Sequence, residues 1–145
     1  LGEHNNQKLY YVSKRGLPFT AVKPGDELDY PVITGFSSVE DLDGNEELKK
    51  DIFTFLKQAK RNNPRLPIQA ISEINKNDNN ELVLYLVEYP FPIYLGTGEM
   101  KSKYRQLLEV LGVLYRKKKS GSRITNVASI RMDYYGNKAL VSLDD

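Results

Sequence analysis

The 145-residue chain contains no cysteine and a single histidine. Without cysteine, disulfides, thiolate metal sites and a thiol nucleophile are excluded together, while the redox compartment stays open. The one histidine, His4, sits in a polar terminus and reads as a solvent-exposed residue or tag remnant, so catalysis built on histidine has little to work with. No stretch approaches the roughly 18 apolar residues of a membrane helix, and no signal-peptide pattern opens the chain. Net charge is also nearly absent. Twenty-one Lys and Arg against 19 Asp and Glu leave +2, which gives no global field that would call for nucleic acid or an anionic membrane. No internal repeat or low-complexity tract is visible. The chain starts at Leu1-Gly2-Glu3 without an initiator Met, and is expected to have been trimmed from a longer protein.

What is present suffices for one core: 40% of residues are hydrophobic. Lys8 to Val12 and Phe19 to Val22 read as short strands around a Lys14-Arg15-Gly16 turn, and Tyr30 to Gly35 as a β-branched run pinned by Pro31 and Gly35. Leu48, Ile52, Phe55, Leu56 and Ala59 recur at helical spacing, with Asp43 or Asn45 able to cap that helix and Glu46 and Glu47 suited to its positive end. The helix must stop before Asn62-Asn63-Pro64. Ile68 to Ile74 and Leu82 to Val87 form a hairpin around a polar turn, and Leu82 to Val87, apolar on both faces, belongs at the sheet's centre. Ile93 to Leu95 is a further strand, which Pro90 and Pro92 argue against placing in a central, fully bonded position. A second helix spans roughly Met100 to Lys118, with Tyr104, Leu107, Leu108, Leu111, Leu114 and Tyr115 as its apolar stripe. The order predicts an α+β fold: a mostly antiparallel curved sheet with two amphipathic helices packed on one face.

The chain closes on a clean hairpin. Val127 to Tyr135 alternates, with Ala128, Ile130, Met132 and Tyr134 on one face and Ser129, Arg131 and Asp133 on the other. Gly136-Asn137 supplies the positive backbone angles of a two-residue turn, and the strand Lys138, Ala139, Leu140, Val141, Ser142, Leu143 follows. With only Asp144 and Asp145 behind it, this strand either lies at a sheet edge open to another chain or pairs only within its own domain.

Other chemistry is sparse. Asp41, Asp43 and Asn45 superficially suggest a calcium loop, but Gly44 is misplaced and Glu46 stands where glycine is required, so helix capping explains them better. Gly96-Thr97-Gly98 before a helix, with Lys101 and Lys103, could hold a phosphate or nucleotide in a small enzyme domain. It lacks a third glycine and a Gly-Lys-Ser/Thr ending, which favours a plain strand-to-helix turn. Arg116 to Lys119 with Arg123 is the densest positive cluster, readable as a phosphate or lipid contact or as a solvated helix end. Ten tyrosines could stack bases, though Tyr10, Tyr11, Tyr85, Tyr94, Tyr104 and Tyr115 all fit packing positions.

The order of segments resembles the β domain of the bacterial division family FtsQ, also called DivIB. Leu9 to Phe19 followed by Tyr30-Pro-Val-Ile-Thr-Gly35 is similar to that family's opening, and Ile71-Ser-Glu-Ile74 to its "Ser-Glu-Ile" strand. Tyr94-Leu95-Gly96, then Lys101 or Lys103 through Leu108, is similar to its entry into the second helix. Ile130-Arg-Met-Asp-Tyr134 falls where the family reads "Val/Ile-Asp-Leu/Met-Arg-Tyr", with acid and base exchanged at Arg131 and Asp133; alternation leaves both on the outward face, where a cross-strand ion pair could survive. The resemblance implies a single β domain over residues 1–145, cut from a parent with a transmembrane helix and a POTRA domain. It implies no catalysis and no cofactor, and a place outside the cytoplasmic membrane at the septum. It further implies partners of FtsB and FtsL type, joined by strand addition at Tyr134, Gly136 and Lys138 to Leu143. The large aromatic that the family commonly carries late in this strand is replaced here by Val141, Ser142 and Leu143.

Overall fold

The computed structural model describes residues 10–11, 20–21, 31–60, 63–119, 127–133 and 139–143. Eight strands make one sheet: β1 (Tyr10–Tyr11), β2 (Thr20–Ala21), β3 (Val32–Thr34), β4 (Ile71–Lys76), β5 (Leu82–Leu86), β6 (Ile93–Gly96), β7 (Val127–Arg131) and β8 (Leu140–Leu143). Their order across the sheet is β2-β1-β3-β4-β5-β6-β7-β8. Three helices accompany them: α1 (Val39–Gly44), α2 (Glu46–Ala59) and α3 (Met100–Lys119). The α+β class is as the sequence predicts. The sheet is mixed, however, because β3 and β4 run parallel, as do β6 and β7. Parallel neighbours need a crossover, and the helices supply it, α1 and α2 for the first pair and α3 for the second.

The helix expected to be capped by Asp43 or Asn45 is α2, with Asn45 as the cap, and a further short helix, α1, precedes it. Ser38 caps α1 through its hydroxyl, which accepts from the Asp41 amide at 3.0 Å, and Asn45 caps α2 by accepting from the Leu48 amide. Ile68–Ala70 winds as a 3₁₀ turn with the Ala70 amide bonded to the Pro67 carbonyl, so β4 begins only at Ile71. β6 is an interior strand, against the expectation raised by its prolines. Pro92 lies just outside the strand and uses its carbonyl, accepting from the Ile130 amide at 3.1 Å, so its missing N–H is never asked for. In β7 a bulge between Val127 and Ser129 puts Val127, rather than Ala128, in the core with Ile130 and Met132.

Apolar side chains of the sheet and all three helices share one core. One row crosses it in register, from Ile33 through Ile74, Leu84, Ile93 and Ile130 to Val141. Helices α2 and α3 meet where the Phe55 and Tyr104 rings pack edge to face at 5.3 Å, and the Tyr104 hydroxyl donates to the Leu66 carbonyl at 2.6 Å. Two glycines end the first strand of each parallel pair. Gly35 has φ +92° and approaches β4 so closely that a Cβ would lie 2.1 Å from the Lys76 carbonyl oxygen. Gly96 has φ +69°, and a Cβ there would meet Asp133 Cβ at 2.8 Å.

Candidate docking edge

The final strand β8 closes the sheet order, and among the described residues only β7 pairs with it. Its apolar side chains are uncovered: Leu140 is 51%, Val141 36% and Leu143 65% exposed. Every other member of the core row ending at Val141 is completely buried. Among the described residues no strand continues the row beyond Val141.

Backbone direction along β8 follows from β7. The Ile130 and Met132 amides donate to the Pro92 and Tyr94 carbonyls, toward β6. Successive residues of a strand turn their N–H and C=O to opposite sides, so Ser129 and Arg131 face β8. Their register partners Ser142 and Leu140 face back at them, while Val141 and Leu143 direct their N–H and C=O to the open side. Leu140 is therefore bonded inward, and among the described residues the β8 groups that face away from β7 belong to Val141 and Leu143. Ala139 is half-buried against the core and anchors the strand's start. Tyr134, Gly136 and Lys138 lie outside the described residues.

On the face away from the helices a second row runs through Asn75, Val83, Tyr94 and Arg131 to Leu140. The Arg131 guanidinium lies 4.4 Å from the Tyr94 ring centroid and makes a forked pair with Asp133, Nε to Oδ1 at 3.2 Å and Nη2 to Oδ2 at 2.8 Å. The exchanged acid and base thus pair locally, two residues apart at the end of β7, rather than across strands. Exchange of the two residues leaves such a pair intact. Asp133 also contributes to the setting of Lys103, whose ammonium donates to the Leu95 and Thr97 carbonyls at 2.5 and 2.9 Å. Burial pushes Lys103 below the usual lysine range, against the opposing pull of Asp51, Asp133, Glu99 and Glu81. Sequence reasoning named Lys103 only as a phosphate ligand, because nothing local signals that it folds back onto the strand before its own helix.

The Gly96-Thr97-Gly98 turn borders a cavity of about 460 Å³ at the start of α3, with Lys50 and Lys101 as well as Glu47, Asp51 and Glu99 in its lining. Asp51 already accepts from the Gly98 amide at 2.9 Å, so this chain's own carboxylate sits where a phosphate would need a donor. Of the two lysines that the sequence pairs with this turn, Lys101 lines the cavity and Lys103 does not. The three residues that suggested a calcium loop are used locally: Asp41 accepts from Ser37, Asp43 pairs with Lys49 at 2.6 Å, and Asn45 caps α2. Among the described residues no three His, Cys, Asp or Glu side chains converge as a metal site, and no helix is long and apolar enough to cross a membrane. His4 and Arg123 lie outside the described residues, whereas Arg116 and Lys117 are exposed on α3.

Residues 3–132 match the family described as "Cell division protein FtsQ/DivIB, C-terminal". The chain is 32% identical over 102 residues, 68% of its length, to "Cell division protein FtsQ" of Geobacter sp. (strain M21), of which 37% is covered. It is 29% identical over 129 residues to the protein of that name from Geotalea daltonii, 87% of this chain and 44% of the relative, and 30% identical over 104 residues to that from Syntrophotalea carbinolica, 70% of this chain and 37% of the relative. The chain thus spans less than half the length of these relatives. The family match stops at Met132, one residue past β7, and does not include β8. With the opening strands, both helix entries and the β7 segment all inside the matched residues, the chain belongs to the FtsQ/DivIB C-terminal family of cell-division proteins.

Proposed function

We propose that this chain is a non-catalytic scaffold domain of the septal division machinery, standing on the extracytoplasmic face of the cytoplasmic membrane, and that β8 accepts a strand from an FtsB- or FtsL-type partner. The observation that carries this is the open edge, where three exposed apolar side chains and the outward backbone groups of Val141 and Leu143 sit at the end of an otherwise buried row. An added strand would extend the row on the helix side at Val141 and Leu143 and contact Leu140 on the other. Main-chain bonds would supply affinity and alternate side chains selectivity. Tyr134, Gly136 and Lys138, implied by family resemblance, would complete the surface at the turn.

Calorimetric titration of the chain with peptides covering the extracytoplasmic segments of its FtsB- and FtsL-type partners tests this. Saturable binding that Leu143→Asp and Val141→Pro each reduce by about tenfold or more is expected, since a charge opposes apolar burial and proline removes an outward N–H. Unchanged affinity in both variants, each folded by circular dichroism, would move the docking surface elsewhere.

A further inference from the structure

The geometry points to a second binding site, sharing no residue with β8, for an acidic peptide segment that carries an aromatic side chain. The loop before β4 is held against α3 by buried Leu66, whose carbonyl accepts the Tyr104 hydroxyl. That tether brings Arg65 to the surface of α3 at Gly112. There Arg65 Nη1 lies 2.8 Å and Arg116 Nη1 3.6 Å from the point where a side chain at position 112 would begin. Two guanidinium groups from different elements converge on one spot, and neither side chain has a carboxylate partner among the described residues. Like charges so placed repel, and an anion between them removes the repulsion. A planar fork suits a carboxylate, which it binds through two parallel hydrogen bonds.

A groove of about 420 Å³ opens beside the pair, lined by Pro64, Arg65, Glu88, Tyr89, Leu111 and Tyr115. Its size lies within the roughly 300–1,000 Å³ usual for small-ligand sites. Tyr115 is 51% exposed, and Tyr89 is braced by Phe91 at 5.6 Å between ring centroids, so two tyrosines line the groove. Glu88 stands at the Tyr89 side, which gives the groove a polarity: ligand carboxylates go to the arginines and the ligand's ring lies between Tyr89 and Tyr115. The sequence places Lys117, Lys118 and Lys119 directly after Arg116, strengthening the attraction for an acidic segment. A flat anionic bilayer would meet the lysines but not enter a concave groove with a carboxylate on its rim.

The test is fluorescence anisotropy of labelled Glu-Asp-Phe-Asp-Glu titrated with the whole chain. Saturable binding is expected, weakened about tenfold or more when Arg65→Gln and Arg116→Gln are combined, and weakened similarly for the neutral peptide Gln-Asn-Phe-Asn-Gln. Replacing the peptide's Phe by Ala should cost roughly threefold or more. Arg65→Lys with Arg116→Lys keeps both charges and removes the forks, and should still bind more weakly than the native pair. Leu140→Asp should leave this binding unchanged, which separates the site from the β8 edge. Absence of saturation at chain concentrations on the order of millimolar overturns the proposal. So does binding equal in the lysine pair and the native chain, or Arg-dependent binding of phosphatidylglycerol vesicles or oligo-dT without binding of the peptide.

Discussion

Two halves of this molecule share one plan and differ at one edge. From β3 to β5 the chain runs strand, helical crossover, parallel strand, hairpin strand, and from β6 to β8 it runs the same way. In the core row Ile33, Ile74 and Leu84 of the first unit correspond to Ile93, Ile130 and Val141 of the second. Leu84 is fully buried, since β6 lies on the far side of β5; Val141 is 36% exposed. Among the described residues the second unit is therefore the first without a strand beyond its last one. An apolar strand left open is an aggregation hazard unless something covers it, which is the physical ground for proposing β8 as the docking edge.

The comparison can be broken or sharpened at several places. Largest is Leu84→Ala, expected to cost about 2–5 kcal/mol in denaturant unfolding because it empties a fully enclosed site. Next comes the glycine pair that ends the first strand of each unit. Gly35→Ala should cost roughly 1–3 kcal/mol from its positive φ, with more from the collision with the Lys76 carbonyl. Gly96→Ala meets the Asp133 side chain instead, so beyond lost stability it should weaken partner binding by disturbing the strand that leads into the last hairpin. Gly98→Ala serves as the control for φ alone, as a Cβ there meets nothing.

Tyr104→Phe is smaller, about 1 kcal/mol, for the lost bond to Leu66. It carries a pH signature. Burial raises the Tyr104 phenol above its ordinary 10.0, so its contribution is complete below pH 10 and is lost as pH climbs through the raised folded value. Tyr85 and Tyr89 shift the same way, while Lys103, lowered from 10.5, makes stability rise with pH between its folded value and 10.5. Urea midpoints measured from pH 8 to 11 should therefore fall less steeply at the alkaline end in Tyr104→Phe than in the native chain. Smallest is Val141→Ala, about 1 kcal/mol or less in the isolated domain because the site is already open to water. A loss equal to that of Leu84→Ala would mean the two edges are covered alike.

Much of this was legible in sequence because it is local. Helical spacing located α2 and α3, alternation located β7 and the terminal strand, and the apolar run Leu82 to Val87 marked the interior strand, which ends one residue earlier at Leu86. The parallel pairings were not legible, since no residue announces which neighbour a strand will choose once a helix has carried the chain across the sheet. Pro92 misled because its effect depends on lying one residue outside the ladder. The two-unit plan leaves no sequence repeat: one crossover is built from α1 and α2, the other from α3 alone, and only the strand-ending glycines and the row of aliphatics correspond. For the docking edge, its residues were readable, but which of them turn their amides outward required the β6 and β7 bonds. The Arg65 and Arg116 pairing over Gly112 joins positions far apart in the chain, with no motif to mark it.

Residue-resolved amide hydrogen exchange, with and without a saturating FtsB-type peptide, tests the open edge most directly. In the free chain the Leu140 and Ser142 amides should be protected relative to those of Val141 and Leu143. On binding, Val141 and Leu143 should gain protection of about tenfold or more while Leu140 and Ser142 change little. Saturated binding that leaves the Val141 and Leu143 amides exchanging as freely as before would contradict strand addition at β8.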